Sequence, residues 1–435
     1  LEWTPDSMTN VMFRPRFSYQ TNDRANNGTK AEFSDDPYNY VENPLSDADM
    51  KKLTDDNLLI NKTLNTGLTY SSNTNAGGML QYNRRLGKAG RNVTVRVDGN
   101  YSKGESTSAT LQDVTIYQAL TDSTYQTNRY ELTPTTNYNY SARATYSEPI
   151  AKRMYLQGSY TFKYSKQKSD RSSYNYSNYF FSKDAFGLHD FRNWASFIGK
   201  LDGYPDLSRY YDEDQSKYSE YDTYTNQFDL QLRKIGEKWN YTVGLMLQPQ
   251  STELTYKYNG LDTIVNRNVF NFAPTLDLRY KISDVSQLRA EYRVNNSQPS
   301  MTDLIDVVND ADKLNIHRGN PNLKPSFTHN FTLFYNGFSS FHTQSWMARL
   351  NFSITQNSVS SMVRRFDEPT VFEGYSYLKS AKLTRPENIN GNWNAFGMIM
   401  YNASIDSTGI WNINTFTNVN YNNRVSYYSE GGAES

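Results

Sequence analysis

Four imidazoles, His189, His317, His329 and His342, are scattered through the chain, and none stands in a spacing that builds a catalytic or metal site. A zinc hydrolase would need H-E-x-x-H, an α/β-hydrolase G-x-S-x-G, and a nucleotide-binding loop a Gly-rich run ending in Lys; the sequence holds none of these. With no cysteine, these residues offer no thiolate nucleophile, disulfide or lipoprotein anchor. Carboxylates recur at Asp35-Asp36, Asp47 with Asp49, Asp55-Asp56 and Asp212-Glu213-Asp214. Hard cations bind oxygen-rich loops, but the spacing is not that of an EF-hand, and solvated loop charge accounts for the clusters. The expectation is a protein that is not an enzyme and holds no metal or other cofactor.

Aromatic side chains are the dense group. Residues 167–221 alone include Tyr174, Tyr179, Phe186, Trp194, Tyr210 and Tyr211. So many rings in one water-facing connection have two readings: a self-packed loop core or lid, or a surface that stacks on a ligand or docks a lipoprotein partner. Under the second reading Tyr179, Trp194, Tyr210 and Tyr211 are the candidate binding residues.

The elements that carry these rings follow from composition and period. The chain has 435 residues, 45 Lys plus Arg and 45 Asp plus Glu, so its net charge is zero. No basic excess is available to offset phosphate, which argues against nucleic acid as a partner. Only 37% of residues are hydrophobic, a value typical of disordered chains, yet 36 Tyr, 22 Phe and 6 Trp contradict disorder.

Alternation resolves the conflict. Met154, Leu156, Gly158, Tyr160, Phe162 and Tyr164 share one parity, and Tyr155, Gln157, Ser159, Thr161, Lys163 and Ser165 the other. Phe270 to Ile282 repeats the pattern, with Asn271, Asp277, Arg279 and Lys281 confined to the polar face. Such runs last ten residues or more, whereas sandwich strands average about five or six. No run approaches the roughly 18 apolar residues of a membrane helix, but a spanning strand needs only about ten, with every second one facing lipid. Tight Gly-, Pro-, Asp- or Lys-rich turns at 87–90, 148–152, 235–238, 283–285, 337–342 and 406–409 alternate with long connections at 21–61, 104–134, 167–221, 250–266, 297–325 and 357–387. In an up-and-down sheet this sorts all short turns to one end and all long loops to the other, as in outer-membrane barrels. The predicted fold is therefore all-β, an antiparallel up-and-down transmembrane barrel of about 13–14 strands that are part of a larger barrel, with short periplasmic turns and long extracellular loops. Tyr, Trp and Phe near strand ends fit the aromatic girdles of such barrels.

Three further segments carry a family resemblance. Asn271-Phe-Ala-Pro-Thr-Leu-Asp-Leu-Arg-Tyr280 opens a strand, Gln287-Leu-Arg-Ala-Glu-Tyr-Arg293 with Gln298-Pro-Ser300 follows, and then comes Arg318-Gly-Asn-Pro-Asn-Leu-Lys-Pro325. Together they resemble the outer-membrane β-barrel family of TonB-dependent receptors of Bacteroidetes. The motif Gly319, Asn320, Pro321, Asn322, Leu323, Lys324 and Pro325 has a mechanical reading: Gly319 allows positive φ, the prolines stiffen the return, and the segment ends a loop and sets register.

The resemblance implies an outer-membrane transporter of a Gram-negative bacterium, surrounded by outer-membrane lipid, that captures an unidentified ligand with its extracellular loops and imports it through TonB. The alternative is a non-transport barrel serving as adhesin or assembly scaffold for surface lipoproteins. Residues 1–435 are then part of one barrel domain. A plug domain, a TonB-engaging segment and the closing strands are not recognisable in them, and Leu1-Glu2-Trp3 reads as internal to a longer chain.

Overall fold

The computed structural model describes residues 1–435 except 88–89, 118–122, 176–209, 307, 310–314, 341–342, 378–380, 407, 431–432 and 435. In chain order, β1 (Glu2–Asp6), β2 (Thr9–Phe33), β3 (Leu59–Arg85), β4 (Asn92–Ile116) and β5 (Ser123–Ala151) are followed by β6 (Met154–Asn175), β7 (Lys217–Ile235), β8 (Trp239–Tyr258), β9 (Leu261–Lys281) and β10 (Gln287–Ser297). Two small strands, β11 (Val308–Asn309) and β12 (Asn315–Arg318), precede β13 (Ser326–Ser339) and β14 (Gln344–Gln356). After these come β15 (Ser358–Arg365), β16 (Thr370–Phe372), β17 (Tyr375–Tyr377), β18 (Lys382–Ile389), β19 (Asn392–Ser404), β20 (Asn412–Asn423), β21 (Tyr427–Glu430) and β22 (Ala433–Glu434).

Fourteen of them form one sheet in the order β1 to β10, β13, β14, β19, β20, every neighbour antiparallel and next in the meander. This is the up-and-down topology read from the sequence, including the short first strand. Among the described residues β1 and β20 are the sheet's two edges. All its short connections but the β8–β9 turn lie at one end, among them Lys152-Arg153 with Arg153 at φ 58°.

Strand length departs from expectation. Residues 104–134 and 250–266 are largely ladder: β4 runs to Ile116, β5 starts at Ser123, and β8 and β9 meet at Asn259-Gly260. The φ values of that pair, 51° and 73°, are those of a type I′ hairpin turn. Beyond the membrane both faces of a strand meet water, so Thr, Ser, Asn and Tyr occupy both parities and the alternation fades while the backbone pairing continues.

Register shows which face is which. On β6 the parity of Gly158, Tyr160 and Phe162 stands beside Tyr146, Ala144 and Ala142 of β5 and beside Leu230, Phe228 and Asn226 of β7. The same side collects Val97, Leu230, Val243, Leu276, Leu333 and Leu350, all exposed, with Leu230 and Leu350 at 54%. Large apolar side chains this exposed along a continuous belt belong against lipid. The opposite face holds the charges in ion pairs, Arg96 with Asp98 along β4, and Arg143 with Asp229 and Arg289 with Asp277 across strands. Rings bound the belt at both ends. Trp239 stacks near Tyr280 and Trp346 near Tyr401 at the short-turn end, while Tyr140, Tyr164 and Tyr224, with Trp393 and Tyr421, line the other. Past Tyr164 the lipid-facing parity turns charged, with Lys166 between Glu220 and Asp222. From Met154 to Tyr164 is about ten residues, the length a spanning strand requires.

Replacing Leu156, Phe162 or Leu278 with Arg is expected to cost roughly 2–4 kcal/mol near the midplane and to lower the folded fraction in heat-modifiability gels. Arg at the inward Gln157 is expected to leave assembly intact.

Candidate functional site

The long-loop end is where the chain builds something other than a wall. Inner-facing residues of the outer half run in cross-strand rows. The outermost pairs Arg171, Lys217 and Tyr258; below it lie Ser219 with Tyr256, then Tyr221 with Leu254 and Val265, then Thr223 with Thr252 and Arg267. Leu254 and Tyr256 would be an apolar patch facing the pore, but the connection after β10 folds inward over them. Met301 and Leu304 of a short 3-10 turn, with Ile305 and Leu323, are buried on Leu254 and Tyr256, and Tyr221, Tyr258, Leu261 and Val265 pack around them. The expected exposed loop at 297–325 is thus an inward strap. The apolar trio Met301, Leu304 and Ile305, set close together in a long connection, was the signal for it.

The seven-residue motif fastens this strap. Gly319 is not among the residues with positive φ; what it supplies is room, since a Cβ there would lie 2.8 Å from the Ile305 carbonyl carbon and 2.9 Å from the Asp303 oxygen. The expected left-handed role is therefore corrected to close backbone approach. The Asn320 amide N–H donates to the Asp303 carbonyl at 2.5 Å, its Oδ1 accepts from the Asn322 N–H at 3.0 Å, and its Nδ2 donates to the Pro386 carbonyl at 3.1 Å. Lys324 is bracketed by one amide: its N–H donates to Asn388 Oδ1 at 2.6 Å and its carbonyl accepts from Asn388 Nδ2 at 3.0 Å.

Those contacts hold a second sheet, ordered β11, β12, β18, β15, β21, β22. Its central hairpin continues β14 and β19 without a register slip, Thr355 opposite Asn392 and Ser358 opposite Ile389. At Asn357 (φ 52°) and Gly391 (φ 105°), however, it turns over. In the wall β19 lies between β14 and β20; above the turn β15 lies between β18 and β21. Asparagine amides satisfy the interrupted ladder: Asn390 Oδ1 accepts from Asn357 N, Asn388 Nδ2 donates to Asn357 O, and Asn392 Oδ1 accepts from Val425 N. The sheet has its own core of Ile316, Phe366, Tyr377, Ala381 and Leu383. Arg318, only 15% exposed at its side chain, clasps Asp306 through two bonds of 2.6 and 3.1 Å and reaches Glu373 at 3.0 Å, and Arg385 meets the same Glu373 at 2.8 Å. The Arg318 guanidinium holds the Asp306 carboxyl below the ordinary value of 3.8, whereas burial pushes Asp303 up.

Two cavities flank the strap. One of about 450 Å³ is bounded by Tyr256, Asp303, His317, Arg318, Ser360 and Thr384. The other, about 520 Å³, lies on the inner wall beneath Gln298–Met301 and is lined by Tyr221, Gln250, Thr252 and Arg267 among others. Of the sequence candidates, Tyr179 and Trp194 lie outside the described residues. Tyr210 is half-buried. Tyr211 meets Tyr174 edge-on at 5.9 Å, and Tyr174 lies 6.0 Å from Tyr130, a cluster on the wall's outward parity and not in the mouth. His189 and His342 also lie outside the described residues, while His329 Nδ1 is 2.9 Å from the Tyr292 hydroxyl on the lipid-facing side. Both cavities depend on residues that period-two reading assigns only to a face.

A model of the outer membrane protein beta-barrel family matches residues 199–434, and the chain belongs to that family. It is accordingly a Gram-negative outer-membrane protein. Comparison with curated proteins gave no match. Among solved structures it is similar to the siderophore receptor PiuA from Acinetobacter baumannii, at 9% identity and TM-score 0.41 over 98% of this chain and 64% of that one. It is also similar to the alcaligin outer membrane receptor FauA from Bordetella pertussis, at 11% identity and TM-score 0.36 over 96% and 63%. The ferric yersiniabactin uptake receptor FyuA from Yersinia pestis gives 7% identity and TM-score 0.39 over 95% and 59%. The chain thus spans less than two thirds of each receptor's length.

Asn388→Ala removes one side chain from three backbone contacts, a loss of about 1–3 kcal/mol confined to the outer sheet. Trypsin is expected to cut faster at Lys382 while the barrel keeps its heat-modifiable mobility. Because Asp306 is held below its unfolded value, its contribution is complete above 3.8 and is lost as pH falls through the folded value. Pepsin should therefore open the outer sheet of the parent progressively below that pH, and in Asp306→Asn the rate should lack this dependence; an equal pH dependence in both would contradict the clasp.

Proposed function

We propose that this chain is the barrel wall of a TonB-dependent outer-membrane transporter. The observation that carries the reading is the pairing of an apolar belt outside with a polar, cavity-bearing wall inside, its outer mouth narrowed by a strap that the family-like motif fastens. A wall of this kind offers a solute a wet path and a place to be held. In the transporter the ligand binds among the outer loops, a plug supplied by other residues of the protein yields when TonB pulls on it, and the solute enters the periplasm. The resemblance of residues 270–335 to Bacteroidetes receptors supports this use of the fold.

One observation favours a second use. Between Tyr138 and Ser123, β5 extends about 50 Å beyond the aromatic girdle, at about 3.4 Å per residue, and the Tyr130, Tyr174, Tyr211 cluster stands on its lateral face. A surface lipoprotein docked alongside would meet those rings, which is the scaffold or adhesin reading. Tyr179, Trp194, Tyr210 and Tyr211 are proposed as the capture set in either case.

Replacing those four residues together by Ala is expected to weaken recognition, since aromatic anchors each contribute on the order of 1 kcal/mol or more. Growth on candidate nutrients is compared between this variant, the parent and a strain lacking TonB. A defect in both mutants supports import, loss of lipoprotein co-purification with unchanged uptake supports the scaffold, and unchanged growth without TonB contradicts transport.

A further inference from the structure

Several inner-wall cations meet a carboxylate, Arg96 with Asp98, Arg143 with Asp229, Arg171 with Glu131 and Arg289 with Asp277, and others meet an amide oxygen, Lys163 that of Gln227 and Arg349 that of Asn351. Arg267 is treated differently. Among the described residues no carboxylate lies within ion-pair distance of it, and none lines the 520 Å³ cavity into which its strand face opens. Its Nη2 donates to the Leu323 carbonyl at 3.0 Å, so the strap tethers one arm of the guanidinium, while Nη1 is buried without a partner. Across the cavity Gln298 repeats the arrangement, its Nε2 donating to Asn271 Oδ1 at 3.3 Å and its Oε1 buried and unmet. Amides and hydroxyls make up most of the remaining lining, with Tyr221 the one ring.

A guanidinium tethered at one arm and unmet at the other is a specific request. Buried polar atoms in native proteins are nearly always satisfied, and an orphan marks a place for an ion, water or ligand. Guanidinium matches the two oxygens of a carboxylate or phosphate, and the cavity falls within the range of about 300–1,000 Å³ of small-molecule sites. We propose that this inner-wall cavity binds a small polar oxyanion, a carboxylate- or phosphate-bearing solute, with Arg267 gripping the charged group and the Gln250, Thr252 and Gln298 side chains meeting its neutral oxygens. The inference names a ligand class for the mouth and takes its physiological meaning from the transport reading, but binding itself requires neither TonB nor energy.

The test is isothermal titration of the full-length protein in detergent with citrate and, separately, with inorganic phosphate. The parent is expected to bind at least one of them saturably, and the two arms tell carboxylate from phosphate preference. Arg267→Gln should weaken that binding about tenfold or more and Arg267→Lys less, because an ammonium keeps the charge without the fork. Arg349→Gln, on the inner face of β14, should bind as the parent does. Heat-modifiability verifies that each variant is folded, and Thr252→Val supplies a second, milder change expected to weaken binding if Arg267→Gln does not assemble. No saturable binding of either probe by the parent, or parent-like binding by folded Arg267→Gln or by Thr252→Val, would overturn the proposal. TonB-dependent growth alongside failed titration removes the ligand class and leaves transport standing; binding without TonB-dependent growth does the converse.

Discussion

Backbone N–H and C=O groups that enter hydrocarbon have no water to bond, and each unmet group there costs several kcal/mol. The rest of this structure follows from that constraint. Strands of the wall satisfy one another sideways, so each must lie beside its predecessor at the membrane level, and the fourteen-strand meander has no crossover. Once the sideways pairing is fixed, parity does the remaining sorting. One face of every strand meets lipid and the other meets the interior, and a register slip of one residue would put Arg143 or Asp229 into the acyl chains. Cross-strand ion pairs on the inner face and stacked rings on the outer one both reinforce the register that the backbone requires.

The constraint also sets where it stops applying. Beyond the rings at Tyr140, Tyr164 and Tyr224 water again competes for the backbone, and the chain is free to do things forbidden below. There β14 and β19 break their ladder at Asn357 and Gly391, turn over and enter a second sheet containing parallel pairs. The side chains of Asn388, Asn390 and Asn392 take up the interrupted hydrogen bonds. The strap after β10 exploits the same freedom in the opposite direction, covering an apolar patch that would otherwise face the pore. Mouth, cavities and clasp are therefore products of the wet end, positioned by a wall whose own geometry lipid dictates.

How much of this was legible in the sequence depends on which physics a segment obeys. Met154 to Tyr164 could be read directly, because lipid on one side and polar interior on the other leave a strict alternation. Strand number and the short-turn end were equally legible. Residues 104–134 were not: with water on both faces the period carries no information, and ladder looked like loop. The motif at 319–325 was recognised and assigned a mechanical role, but its Gly319 serves close approach and not a left-handed turn, a distinction visible only when Ile305 and Asp303 are placed above it. Arg267 could not be singled out at all. Its parity marked it as inward, like several other cations, and only the burial of its Nη1 without a partner beside the strap set it apart.

The central claim is that parity in the wall decides solvent, and the chain's lack of cysteine makes it directly measurable. Single cysteines placed in turn at every position from 154 to 168 of β6, in otherwise cysteine-free protein reconstituted in lipid, would be reacted with a small water-soluble thiol reagent. The account predicts reaction at odd positions and protection at even ones up to Tyr164, followed by reaction at Lys166 and Lys168 as the even face emerges from the aromatic girdle. Reaction independent of parity below Tyr164, or protection of the odd set with reaction of the even, would contradict it.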